Sequence, residues 1–169
     1  MNMKRVARGL GLAAFIAVAL AAFAACSGGG GKETTVNLTM GDEDNGQKMF
    51  YTLDKTTIPA GEVTFVVANK GKFEHELMVY PKQDLSPLLK EVVEAKKAGK
   101  SMHVDDDIKG LVKSVAGEEE LELEPNKDGR FTVKLTPGTY ELACFIVEST
   151  PRETFTHYEK GMRSLLTVQ

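Results

Sequence analysis

The chain has 169 residues, 42% of them hydrophobic and 27% charged, with a formal net charge of −3. That is room for one domain with a real core after any leader is removed, and the acidic balance argues against nucleic acid as a partner. Two cysteines, of which the first follows a leader-like run, exclude a disulfide-stapled scaffold.

The first 25 residues read as a secretory signal. Lys4, Arg5 and Arg8 precede an unbroken apolar run from Gly9 to Ala25 that ends in small residues before Cys26. The run is somewhat short for a membrane-spanning helix, and no second span follows. A cysteine directly after two alanines resembles the bacterial lipobox, in which that cysteine is lipidated and becomes the first residue. The resemblance implies a lipid-anchored, extracytoplasmic protein that begins at Cys26, with 26–34 as a Gly-rich tether. Phe23 stands where that motif usually has an aliphatic residue. Without the signal, 18 basic and 24 acidic residues remain, a net charge of −6.

From residue 35 the hydrophobic period is two. Val36, Leu38 and Met40 alternate with polar residues, and 57–68 reads as a turn at Pro59-Ala60-Gly61 followed by an apolar strand. Asn69-Lys70-Gly71 is a turn, after which Phe73, His75, Leu77 and Val79 share one parity. Further on, Leu121 and Leu123 alternate with glutamates, and Phe131, Val133 and Leu135 with Thr132 and Lys134. Pro137-Gly138 turns the chain, Tyr140, Leu142 and Cys144 share a face, and 164–168 closes the domain as a strand. Short strands between Pro/Gly turns predict an all-β sandwich. Residues 81–117 break this rhythm. Ser86-Pro87 offers an N-cap and a first-turn proline, Leu88, Leu89, Val92 and Val93 line one side, and Gly99 is a stop signal. With a second, shorter helix over 105–115, this stretch reads as a helical insertion between two strands.

Cys144 is then a lone thiol in a compartment where thiols oxidise, and it asks for a reason. His75 lies on the apolar parity of its strand, Cys144 at the end of the penultimate strand, His157 in the next loop, and Met162 beside Gly161 before the last strand. In an antiparallel sandwich these four positions can meet at one end. Taken singly each has a plainer reading: a core histidine, a buried apolar cysteine, a loop histidine, a core methionine. Taken together they form the two-imidazole, thiolate and weak thioether set that suits blue copper. His103 reads as a solvated loop residue and Met78, on the opposite parity from His75, as packing.

The segments IPAGEVTFVVANKGKFEHELMVYP and PGTYELACFIVESTPRETFTHYEKGMRSLLTV resemble the two ends of a cupredoxin, over 35–80 and 118–169. The resemblance implies a Greek-key β-sandwich or barrel over 35–169, with 81–117 inserted, and one type 1 copper. Its implied ligands are His75 after the N-x-G turn, Cys144 after the P-G-x-Y strand, and His157 and Met162 at the H-x-x-x-x-M spacing. The chain departs from the family in two places. Twelve residues, not a few, separate Cys144 from His157, and Thr156 replaces a common glycine. The extra residues, 148–155, are expected to bulge beside the metal.

The leading expectation is a non-enzymatic, membrane-tethered carrier of single electrons between extracytoplasmic redox proteins, with no small-molecule substrate. Copper storage or delivery is an alternative, although Met- or His-rich tracts are absent. So is a metal-free interaction domain of the same fold. A Cys144–histidine hydrolase ranks last, because the cysteine ends a strand and does not sit in an electropositive helix N-terminus.

Overall fold

Val36, Leu38 and Met40 can be buried on one side only if the chain is extended, and they lie inward on β1, Thr34–Glu43. The computed structural model describes residues 33–100 and 120–169. A 3-10 turn at Asp44–Gly46 leads into β2, Lys48–Leu53, which returns antiparallel with Met40 opposite Tyr51. The next strands are β3 (Thr57–Ile58), β4 (Gly61–Asn69) and β5 (His75–Pro81). The helix α1, Ser86–Lys97, separates them from β6 (Leu121–Leu123), β7 (Asp128–Leu135) and β8 (Gly138–Ala143). A hairpin of β9 (Val147–Ser149) and β10 (Thr154–Thr156) precedes the last strand, β11 (Arg163–Val168).

These strands form two main sheets, ordered β2-β1-β4-β7 and β3-β11-β8-β5-β6, with β9–β10 as a separate pair. β1 runs parallel to β4 and β3 parallel to β11; the other pairs are antiparallel. The chain changes sheet after β2, β3, β4, β6 and β7, which makes the two sheets one sandwich and not two hairpin stacks. Its interior takes Val36, Leu38, Met40, Val63, Phe65 and Val67 from one sheet and Leu77, Val79, Leu142 and Leu166 from the other. Each such side chain contributes about 1.5–3 kcal/mol through burial. β4 lies between two strands, and its buried Thr64 bonds Thr132 on β7 at 2.8 Å.

β5 is buried on both faces, from His75 to Tyr80. His75, Leu77 and Val79 face the sandwich interior, whereas Met78 and Tyr80 face a second core with Leu85, Leu88 and Val92 of the α1 region. The helical insertion thus covers the outer face of one sheet. Its start differs by one residue from the expected cap. Ser86 is already helical, and Asp84 Oδ1 accepts the Ser86 N–H at 2.9 Å. At the other end, Gly99 N donates to Lys96 O and Lys100 N to Ala95 O, both at 3.0 Å, a paired C-terminal cap. The expected helix over 105–115 and His103 lie outside the described residues, as do the expected signal, Cys26 and most of the tether.

Leu88 is fully buried between α1 and the sheet. Leu88→Ala is therefore expected to destabilise the domain by about 3 kcal/mol. Urea unfolding measures this, and an unchanged midpoint would show that α1 is not part of the core.

Candidate metal centre

β5 starts at His75 because the preceding turn is tied down by one side chain. Asn69 is fully buried. Its Nδ2 donates to Phe73 O and Leu123 O, both at 2.8 Å, and its Oδ1 accepts Gly71 N–H at 2.9 Å. The turn between Asn69 and Gly71 thereby delivers His75 to one end of the sandwich.

β8 ends at Ala143, and Cys144 continues its line, with Cys144 N donating to Met162 O at 3.3 Å. Cys144 faces the sandwich interior, whereas Phe145 turns to the other core and stacks on Tyr158, centroids 5.5 Å apart. The residues expected to bulge after Cys144 instead pair with one another. Thr156 sits opposite Val147 and Phe155 opposite Glu148 in the β9–β10 hairpin. The next bond, His157 N to Ile146 O at 2.9 Å, closes the excursion. His157 is thirteen positions from Cys144 in sequence but is held to the residue two beyond it.

The chain then turns within six residues. Thr156 N and Oγ1 both donate to Glu159 Oε2, at 2.8 and 3.0 Å, and Glu159 N donates to Thr156 Oγ1 at 3.1 Å. This is the reciprocal Thr-x-x-Glu cap, and it gives Thr156 a task that a glycine has no side chain to perform. Met162 N donates to His157 O at 3.0 Å, with Gly161 at φ +105° completing the turn. Met162 is fully buried in the cluster that contains Cys144.

The result is a triangle of donor atoms. His75 Nδ1 and His157 Nδ1 are 3.1 Å apart, and Cys144 Sγ is 3.3 Å from His157 Nδ1. All three atoms lie within 4.8 Å of one another, on residues with no exposed surface. Two ligands of one metal ion at ordinary N and S bond lengths stand roughly 3.3–3.8 Å apart, so an opening of a few tenths of an ångström admits an ion. His75, Cys144 and His157 therefore form a group that can hold a metal. Met162 is carried to the same end by its backbone bonds to His157 and Cys144.

Burial fixes the charge state of this group. It pushes the Cys144 thiol well up, with the Glu76 carboxylate adding to the rise and the N–H groups of Glu76 and Ile146 opposing it. Burial also lowers both imidazoles, His157 to about 3, with His75 lowering it further; Asp42 opposes the shift in His75. Burial thus favours a thiol and two neutral rings, whose inward nitrogens share a hydrogen bond. A bound cation inverts the balance at the sulfur, which then coordinates as thiolate.

Two acidic residues at the site, Asp42 and Glu76, were not singled out from the sequence, and Glu148 of the loop joins them. Glu76 N donates to Cys144 Sγ at 3.5 Å, while Glu76 Oε1 accepts the N–H of Phe145, bracing both sides of the cysteine. Asp42 Oδ2 is 3.4 Å from His75 Nε2, and Glu148 Oε1 is 3.7 Å from His157 Nε2. One signal was available: Asp42 continues the buried parity of Val36, Leu38 and Met40, where an acid is out of place.

Solved structures with this architecture confirm the fold. The chain is similar to reduced auracyanin from the photosynthetic bacterium Roseiflexus castenholzii, at 20% identity and a TM-score of 0.50 over 82% of this chain and 99% of that one. It is also similar to rusticyanin from Thiobacillus ferrooxidans, at 20% identity and a TM-score of 0.50 over 82% of this chain and 79% of that one. A further rusticyanin structure, described as a copper protein, gives a TM-score of 0.52 at 20% identity. No protein-family model and no curated protein matches the sequence. The chain has the cupredoxin fold.

The lowered value of His157 sets a pH dependence. Below its ordinary value of 6.5 the unfolded chain takes up a proton that the folded copper-free domain refuses until about pH 3. Stability is therefore full above pH 6.5 and falls as pH drops toward 3; at pH 5 His157 alone removes about 2 kcal/mol. Urea unfolding of the copper-free domain at pH 7.5 and pH 5 checks this. His157→Gln should flatten the dependence, and equal stability of the parent at both pH values would contradict it.

Proposed function

We propose that this chain is a type 1 copper protein that carries single electrons outside the cytoplasm. The observation that carries the reading is the fully buried triangle of His75 Nδ1, Cys144 Sγ and His157 Nδ1 at one end of a cupredoxin sandwich. Two imidazoles and a thiolate, with Met162 as a weak axial thioether, make a donor set that suits both oxidation states of copper. Copper bound there would supply a one-electron couple.

The chain's own residues favour a carrier over a copper donor. A donor must release its metal, which calls for ligands on mobile, open segments. Here His157 is held by Ile146 O on one side and by Met162 N on the other, and Cys144 by Met162 O and Glu76 N. Ligands fixed this way need little rearrangement when an electron leaves. Phe73 meets the His157 ring edge-on, centroids 6.2 Å apart, so the histidine is shielded from water yet in contact with a side chain nearer the surface. The β9–β10 hairpin, with Glu148, Arg152 and Glu153, is the part of this end that a redox protein partner would meet.

The membrane tether belongs to the same proposal. The order of basic residues, apolar run, small residues and Cys26 supports export, cleavage before Cys26 and lipidation at that cysteine. Cys26→Ser is expected to yield an unprocessed or detergent-independent form. Fractionation that finds the same processed, membrane-bound species would contradict the anchor.

Carrier and donor separate under redox cycling. The copper-loaded protein, reduced and reoxidised repeatedly with a competing Cu(I) chelator present, should keep its metal and regain its colour each time. Loss of copper upon reduction would replace electron transfer with copper handling. Met162→Leu should keep the colour and raise the reduction potential, because an axial ligand tunes the metal more than it holds it. A potential equal to the parent's would remove Met162 from the site.

A further inference from the structure

His75 has two ring nitrogens, and Nδ1 is the one that faces His157. Its Nε2 turns the other way, to the carboxylate of Asp42, 3.4 Å from Oδ2, with the two side chains 0% and 1% exposed. The carboxylate is the charged group this nitrogen meets, although the pair does not reach hydrogen-bonding geometry here. The same Oδ2 accepts the backbone N–H of Lys72 at 2.6 Å and of Phe73 at 3.3 Å. Gly71 permits this wrapping: a Cβ there would stand 2.1 Å from Asp42 Oδ2 and 2.9 Å from His75 Nε2.

Burying a carboxylate is expensive unless it is well bonded, and at this parity of β1 an apolar residue would fill the space at no such cost. Two backbone amides account for the loop. They do not account for an acid set against the outer nitrogen of a histidine in the donor triangle. We propose that Asp42 is a positioning residue of the metal centre. Acting through His75, it keeps that ring's proton on Nε2, leaves the Nδ1 lone pair aimed at the metal, and biases bound copper toward its more positive oxidation state. The physical basis is twofold. A carboxylate behind a ligating histidine fixes the tautomer and raises the basicity of the ligand nitrogen. A fixed anion 3.4 Å beyond the outer ring nitrogen also attracts Cu(II) more strongly than Cu(I). The inference rests on the copper reading above, but its first consequence exists without copper.

In that consequence, His75 of the copper-free full chain in detergent is the Nε2–H tautomer, which nitrogen-15 NMR of the ring reads directly; an Nδ1–H tautomer overturns the proposal. The second arm uses Asp42→Asn, whose amide oxygen still accepts the loop N–H groups but carries no charge. Cu(II) affinity should fall about 10- to 100-fold. Cu(I) affinity should fall about tenfold less, which raises the potential by about 59 mV for one electron. An Asp42→Asn protein with the parent's affinities and potential overturns the proposal, as that is what a purely structural loop anchor gives. If Asp42→Asn fails to fold, the His75 tautomer of the parent still decides. A parent that takes up no copper sinks the copper reading, and the tautomer alone then judges the Asp42–His75 contact.

Discussion

The site depends on one backbone hydrogen bond, from His157 N to Ile146 O. Without it, thirteen positions of chain would separate the thiol from the second imidazole, and the entropy of closing that loop would fall on the metal ligands. With it, the excursion pays for itself locally: Val147–Ser149 and Thr154–Thr156 satisfy each other's backbone groups, and His157 starts from a fixed point next to the Cys144 strand. The Thr156–Glu159 cap then sets the direction of the following turn, and Met162 returns to bond Cys144. The last ten residues before β11 are a relay of short-range bonds, each positioning the next.

Around that relay the electrostatics are those of a dry core. Cys144, His75 and His157 are all fully buried, so the uncharged form of each is favoured. A cation bound among these groups would make the thiolate stable. The acids placed around it divide the work. Glu76 braces the cysteine from the β5 side, and Asp42 and Glu148 stand behind the outer nitrogens of the two histidines.

Much of this was legible in the sequence, for physical reasons that differ by element. β1, β7, β8 and β11 bury mainly one parity, so period-two alternation found them, while β4 and β5, buried on both faces over part of their length, read as apolar strands, and the Pro/Gly turns marked their ends. The side chains now at the donor triangle stood out because a lone thiol and a buried-parity histidine are costly without a task. β2 escaped because its buried Met49 and Tyr51 alternate with Lys48 and Phe50, and the exposed-side aromatic blurs the pattern. β9 and β10 escaped because three-residue strands of intermediate exposure carry no periodicity; only pairing with each other defines them. The start of α1 slipped by one because the N-cap is Leu85, which has no capping side chain, while Asp84 takes the Ser86 N–H from the residue before it. Asp42 left a trace as an acid on a buried parity, but its partners, like those of Glu76, are 30 or more positions away and appear only in three dimensions.

The central claim is that the His75–Cys144–His157 triangle binds copper through the cysteine sulfur. Titration of the copper-free protein with Cu(II), followed by visible absorption, tests it most directly. The account predicts an intense thiolate-to-copper band that saturates at one equivalent and is missing from Cys144→Ser. Saturation without that band, or the same band in Cys144→Ser, would contradict it.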